Sequence, residues 1–251
     1  MNPKITIITI CYNAADVLER TIQSVVGQTF EGLEYVIVDG GSKDHTLQII
    51  KKYDSKITRW TSEPDHGISD AFNKGIKLAT GDHILMLNAG DVLINCDVLN
   101  SIMDKLSAPI VTFRVQSSLN GKPSQLINPS GSILHRAMVN HQSTFVSKRI
   151  YEQYGGYDMK FKIRMDYDFF LRVLPYSELT SYDQLVAVYD PGVSGAVKNK
   201  LRFELEGLIA EFLNLKMPSI TFIANVLYRP MYRTLDYAFR AFVKKLIGWN
   251  G

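Results

Sequence analysis

Only two cysteines, Cys11 and Cys96, occur in the 251 residues, and neither falls in a CxxC or zinc-like spacing. A disulfide framework is excluded, and reduced thiols are expected. The five histidines are scattered without metal-ligand spacing. No apolar run approaches the ~20 residues of a membrane span. The N-terminal MNPKITIITICYN has one Lys and an apolar stretch that stops after about seven positions, short for a signal-peptide core with its cleavage site. It reads as a first strand. GxGxxG is missing after that strand, where CYNAAD stands, and GxxxxGK[ST], GxSxG and HExxH are missing throughout. Rossmann dinucleotide binding, P-loop chemistry, nucleophile-elbow hydrolysis and zinc proteolysis thereby lose their main signatures. There is no internal repeat and no low-complexity segment.

What is present is a chain with 46% hydrophobic residues, enough for one domain of α/β size, or one plus a small appendage, and not for disorder. The net charge of +3 is unevenly placed. From Lys198 onward nine Lys and Arg stand against four Asp and Glu, so the tail carries +5 and the rest of the chain −2. A nucleic-acid binder carries its basic patch on the main domain, interleaved with aromatics, so no nucleic-acid partner is expected.

The pattern alternates. Ile5–Ile10 (ITIITI) is a β-rich run without polar alternation, as in a strand covered on both faces. Ala14, Leu18, Thr21, Ile22 and Val25 then form one helical stripe, with Asn13 placed to cap it. A second strand covers Glu34–Val38, a short helix runs through Ile49 and Ile50, and a weaker strand spans 57–60. Ile68, Ala71, Phe72, Gly75, Ile76 and Ala79 make the clearest helical stripe, stopped by Gly81 before a strand over Asp82–Leu87. Such alternation predicts βαβ units and a mainly parallel sheet. Beyond residue 109 the regularity fades. Strands are expected over 109–116 and 142–146, a turn at 120–125, a break at YGGYD, and helices from about Asp166 to Leu174, over 200–216 and over 220–247.

In sheets of this type ligands bind outside the carboxyl ends of the strands. The endings here are Thr9-x-x-Tyr12-Asn13, Asp39-Gly40-Gly41-Ser42 and Asn88-Ala89-Gly90-Asp91. Asp39 is either a turn acid capping the next helix or a carboxylate that accepts from a nucleobase N–H. Asp91 either opens a helix over DVLINCDVL or ligates Mg²⁺ or Mn²⁺, which one or two carboxylates hold together with substrate phosphates. Asp166, in MDYDFFLR, is either an N-cap worth ~1 kcal/mol or a general base fixed at a helix start beside a cleft.

The pieces ITIITICYN, EYVIVDGGSKDHT, SEPDHGISDAFNKGIKLATGDHILMLNAGD, NHQSTFVSKRIYEQYGGYD, MDYDFFLR and PGVSG, in this order from residue 5 to about 195, resemble glycosyltransferase family 2, inverting enzymes with a GT-A fold. The long central block is the specific part. The resemblance implies an α/β fold with a mainly parallel, Rossmann-like sheet flanked by helices, and a nucleotide pocket lined by Thr9, Tyr12 and a base-facing Asp39. It places Asp65, Asp70, Asn73 and Asn88 near the nucleotide and donor sugar. Asp91 takes the place of the last acid of a metal-binding DxD-type motif, and Asp166 that of the catalytic base. His141, Gln142, Arg172 and Ser194 are implied on the acceptor or diphosphate side. NAGD has one acid where many members carry two adjacent, which implies a Mn²⁺ or Mg²⁺ ion whose shell the substrate's phosphates complete. The implied domains are a catalytic domain over 1–198, with its nucleotide-sugar half at about 1–95 and acceptor half at about 96–198, then a helical extension over 199–251.

The implied reaction moves a sugar from a nucleoside-diphosphate sugar, UDP-linked, to an acceptor hydroxyl in bacterial surface polysaccharide synthesis. Another nucleotide-sugar enzyme, a pyrophosphorylase or epimerase, would show an early glycine-rich phosphate loop; a sugar or nucleotide binding module would have no need of Asp166. In the tail, Met231, Leu235, Ala238, Phe239, Phe242, Val243 and Leu246 share a helical face, with Arg233, Arg240, Lys244 and Lys245 off it. That pattern suits either packing on the domain or a membrane surface. A cytoplasmic protein with a saccharide or lipid-linked saccharide acceptor is the expectation; on the membrane-surface reading it is peripheral on the inner membrane face, which suits a lipid-linked acceptor.

Overall fold

Strand β1 (Ile5–Cys11) is buried at every position, and its side chains divide between two cores with the period of a strand. Ile8 and Ile10 join Val36, Val38, Ile84 and Met86 in one cluster, while Ile5 and Ile7 join Tyr35, Ile37, Leu85 and Leu87 in the other. A strand covered on both sides has no polar face to show, which is why ITIITI lacks alternation. The computed structural model describes residues 5–119, 121–123, 139–191 and 199–215.

After β1 come α1 (Ala15–Val26), β2 (Leu33–Asp39), α2 (Thr46–Lys52), β3 (Arg59–Ser62), α3 (Ile68–Leu78) and β4 (His83–Met86). They are followed by β5 (Val92–Leu93), β6 (Ile110–Ser117), β7 (Thr144–Ser147), α4 (Lys148–Tyr154), α5 (Met165–Val173), β8 (Leu179–Tyr189) and α6 (Lys200–Asn214). One sheet runs β3–β2–β1–β4–β7–β6–β8–β5. The pairs β3/β2, β2/β1, β1/β4 and β6/β8 are parallel, and the other three are antiparallel. Helices α1 and α2 cover one face through Leu18, Ile22, Val25 and Ile50; α3, α4, α5 and α6 cover the other through Phe72, Tyr151, Phe169 and Ala210. Each fully buried Ile, Leu or Phe in these layers contributes ~1.5–3 kcal/mol.

Several local expectations are corrected. Asn13 does not cap α1, whose N-cap is Ala14 without a side-chain cap. Asn13 instead has φ 47°, and its Oδ1 accepts the Lys43 N–H at 2.9 Å, tying the end of β1 to the loop after β2. DVLINCDVL opens no helix: Val92–Leu93 pairs antiparallel with Ala187–Val188 of β8. The weaker strand lies at Arg59–Ser62, and the one expected from Gln142 begins at Thr144 after a 3₁₀ turn over His141–Ser143. Asp166 is not an N-cap; α5 begins at Met165, with Arg164 at the cap. The helix expected over 220–247 lies outside the described residues, among which no helix is long and apolar enough to cross a membrane.

Candidate active site

The carboxyl ends of β1 and β4 open onto a cleft of about 490 Å³. Cys11, Tyr12, Asn88, Ala89 and Asp91 form part of its floor, Asp65 and Gly67 before α3 one wall, and His141, Gln142 and residues 162–166 another. Tyr189 and Asp190 close a third side, and Phe203 of α6 reaches in from the extension. The path of β4 continues past its last ladder residue, because Leu87 and Ala89 donate to the Ile8 and Ile10 carbonyls at 2.9 and 3.2 Å. Gly90 then turns with φ 102°, a conformation suited to glycine, and donates to Thr21 Oγ1 at 2.8 Å. That turn sets Asp91 at the cleft, 4% exposed.

Asp91 meets Asp190 there. The Asp190 N–H donates to Asp91 Oδ1 at 2.9 Å, and the Asp190 carboxylate is paired with Arg20 at 2.6 Å. The pairing of β5 with β8 brings these positions together, since Val92 lies opposite Val188. Burial pushes the Asp91 carboxyl up to about 6, against the Asp190 N–H and the nearby His141 ring. Close by, Asn88 Oδ1 is buried without a hydrogen-bond partner. Two carboxylates and an unpartnered amide oxygen are hard oxygen donors, the set that suits Mg²⁺ or Mn²⁺ when phosphates and water complete the shell. No cluster of three or more His, Cys, Asp or Glu that could hold a metal by itself exists among the described residues.

On the opposite wall His141 bridges two side chains. Its Nδ1 lies 3.2 Å from Asp166 Oδ2 and its Nε2 3.1 Å from the Asn88 amide nitrogen. The bond to Asp166 assigns the Nδ1–H tautomer, leaving Nε2 to accept from Asn88. Asp166 Oδ1 accepts the Tyr167 N–H at 2.7 Å, at the positive end of α5. Burial pushes the Asp166 carboxyl up, but the hydrogen bond and electrostatic field of the His141 Nδ1–H, with Arg164 and the Tyr167 N–H, outweigh it and hold the group below its usual range. About a quarter of the Asp166 side chain, 26%, stays accessible from the cleft. The result is an ionised, reachable oxygen base. Cys11 cannot act as a nucleophile at neutral pH, because burial and the Asp39 charge push its thiol up.

The other expected residues divide into those that face the cleft and those that stand behind it. Tyr12, 60% exposed, faces it along with Asp65, Asn88, His141 and Gln142. Thr9 is fully buried and accepts from the Tyr35 hydroxyl at 3.1 Å. Asp39 is also fully buried, its carboxylate engaged by the Ser42 N–H, the Ser42 hydroxyl and the Ser62 hydroxyl. Asp70 accepts the His66 N–H at 3.0 Å, fixing the turn that carries Asp65. Asn73 clamps both backbone groups of Tyr157, each at 2.8 Å. Arg172 spans Asp168, the Tyr154 carbonyl and the Gly156 carbonyl, a brace under α5 instead of a cleft residue. Ser194 lies outside the described residues. Asp190, Lys162, Arg164 and Phe203 escaped the sequence reading. YDPG is a strand ending of the same kind as DGGS and NAGD, and would have directed attention to Asp190 had β8 been recognised.

The sequence matches the glycosyl transferase family 2 profile over residues 6–164. It is 31% identical over 179 residues to an uncharacterized glycosyltransferase of Mycobacterium tuberculosis, covering 68% of each chain. It is 27% identical over 207 residues to a PGL/p-HBAD biosynthesis glycosyltransferase of Mycobacterium bovis, covering 79% of this chain and 80% of that one. Among solved structures it is similar to Staphylococcus aureus TarS 1–349 in complex with UDP, with TM-score 0.65, 17% identity and coverage of 88% and 69%. A mannosyltransferase from Pyrobaculum calidifontis in complex with GDP-Man and Mn²⁺ gives TM-score 0.65 at 16% identity, covering 87% and 66%. The mixed sheet with its flanking helices is the GT-A fold of these glycosyltransferases.

Proposed function

The chain belongs to glycosyl transferase family 2, and on that premise we propose that it transfers a sugar from a nucleoside-diphosphate sugar, UDP-linked, to an acceptor hydroxyl with inversion at the anomeric carbon. The observation that carries this is the placement of His141, hydrogen-bonded to Asp166 and within electrostatic reach of Asp91. It joins an ionised base and a buried acid across one cleft.

The acceptor oxygen attacks the anomeric carbon as the bond to the diphosphate breaks. The hydroxyl proton passes to Asp166, and the electron pair of the broken bond leaves on the diphosphate. Base assistance of this kind contributes ~10²–10⁴ in rate. Lys162 and Arg164 line the cleft, where cations would stabilise the charge that the diphosphate gains as that bond breaks, a contribution that appears in turnover. Asp91 and Asp190 would hold the Mn²⁺ or Mg²⁺ ion, which when bound supplies positive charge to the leaving group. Tyr12 and Asp65 line the nucleotide side, with Thr9, Asp39, Asp70 and Asn73 supporting them from behind.

The mycobacterial relative's role in PGL/p-HBAD biosynthesis and the similarity of the chain to a Pasteurella multocida chondroitin synthase support a cell-surface glycan or glycolipid acceptor. A lipid-linked acceptor would account for the basic amphipathic pattern of the tail, with the enzyme working at the inner membrane surface. The activity is tested by incubating the protein with nucleotide sugars and Mn²⁺ and following release of the nucleoside diphosphate. A UDP-sugar should be hydrolysed slowly without acceptor; binding with no release from any donor would make the protein a binding module.

A further inference from the structure

Glu206 of α6 is a buried carboxylate, 6% exposed, that the reaction above does not use. Its Oε2 accepts the N–H groups of Ile163 at 2.8 Å and Arg164 at 2.9 Å, and the Lys162 N–H lies 3.0 Å from the same atom. Arg202, one turn earlier on α6, closes the cluster with its Nε 2.7 Å from Oε1. Three successive amides therefore converge on one carboxylate delivered from a separate element. They belong to the segment that enters α5, whose own N-cap, Arg164, makes no side-chain cap. Such amides need an acceptor, and an anion at a helix start is favoured by the dipole. Burial pushes the Glu206 carboxyl up, but the Arg164 N–H, Arg202 and the Ile163 and Lys162 N–H groups hold it below the usual glutamate range. It is a charged acceptor at neutral pH.

The grip of α6 extends to both sides of Asp166. The Arg164 guanidinium lies over the rings of Tyr167 at 3.8 Å and of Phe203 at 4.3 Å. Tyr167 donates to Glu211 at 2.9 Å, and Asn214 to Asp168 at 3.0 Å. Every residue from Lys162 to Asp168 except Met165 and Asp166 thus has a backbone or side-chain contact to α6 among these bonds and stacks. Asp166 itself is left facing His141.

The geometry points to Glu206 as a positioning residue for Asp166: the C-terminal helix fixes, through the 162–164 amides, the backbone from which the base and the two cleft cations project. Helix α6 is then part of the catalytic apparatus, and not an appendage to it. The inference rests on Asp166 being the base. A displacement of about 1 Å at a reacting group can cost ~10² in rate, so a helix start that loses its anchor should lose turnover before it loses donor binding.

The test uses the full chain and the donor-hydrolysis assay with Mn²⁺, at a temperature below the melting transition of every variant. Glu206→Ala should lower kcat about tenfold or more while the donor KM and the calorimetric affinity for UDP stay within about threefold. Glu206→Gln, with one acceptor oxygen, should fall between Ala and wild type, and Glu206→Asp, with both oxygens and the charge, should recover more than Gln. If Glu206→Ala fails to fold, the Gln and Asp variants carry the comparison. Unchanged kcat, or losses in kcat and UDP affinity that track melting temperature with Asp no better than Gln, would overturn the role. Asp166→Asn, assayed alongside, separates the two readings. If it is active, there is no base to position; if it is inactive while Glu206→Ala is unimpaired, only Glu206 is removed.

Discussion

His141 and Asp166 share a hydrogen bond of 3.2 Å between Nδ1 and Oδ2, and that bond is the main influence holding the Asp166 carboxyl below its usual range against burial. Removing the imidazole leaves burial less opposed, so the carboxyl pKa rises. His141→Ala should lower kcat ~10- to 100-fold and move the acid limb of the kcat–pH profile upward. An unshifted limb would mean that Asp166 does not set it.

Asp91 titrates in the opposite sense. Its folded value of about 6 lies above the ordinary 3.8, so the stability linked to this group is fully present below pH 3.8 and is lost as pH rises through 6. The loss amounts to about 3 kcal/mol in the metal-free protein. A cation requires the ionised form. Mn²⁺-dependent UDP-sugar affinity should therefore weaken about tenfold per pH unit below 6 and level off above it. Calorimetry from pH 5 to 7.5 measures this, and Asp190→Ala should weaken the Mn²⁺-dependent affinity about tenfold at pH 7.5.

Asn73 acts on folding. Its amide makes two bonds to the Tyr157 backbone, and a Cβ at Gly156 would stand 2.1 Å from Asn73 Oδ1. Asn73→Ala and Gly156→Ala should each lower unfolding free energy by ~1–3 kcal/mol in urea titrations. UDP affinity should hold in the folded fraction. A large loss of affinity at unchanged stability would move Asn73 into the nucleotide site.

The full chain should float with liposomes containing anionic lipid, and a chain truncated after residue 217 should not. Equal flotation of the two, or none by the full chain, would leave the tail no membrane role.

The first half of the fold could be read from the sequence because β1, β2 and β4 are largely apolar and buried and α1 and α3 carry clean stripes. Ile5–Ile10, Ile68–Ala79 and the tips at Asp39 and Asp91 all fall where the pattern puts them. Strand β8 could not, since LTSYDQLVAVY mixes polar and apolar residues, and its pairing with β6 changes register between Thr112 and Val115. With β8 unseen, Asp190 had no reason to meet Asp91, 99 residues away. Asp39 and Asn73 show the converse. Their local patterns mark them as special, but only the three-dimensional structure reveals that hydroxyls and a backbone loop already occupy their polar atoms. The service of Glu206 to the 162–164 amides has no local signature, because its partners come from another element.

Asp166→Asn in the full chain, with UDP release from the hydrolysed donor and UDP affinity measured on the same preparation, probes the base itself. Turnover should fall by ~10²–10⁴ in kcat with affinity within about threefold of wild type. Near wild-type turnover in that variant would mean that Asp166 is not the base.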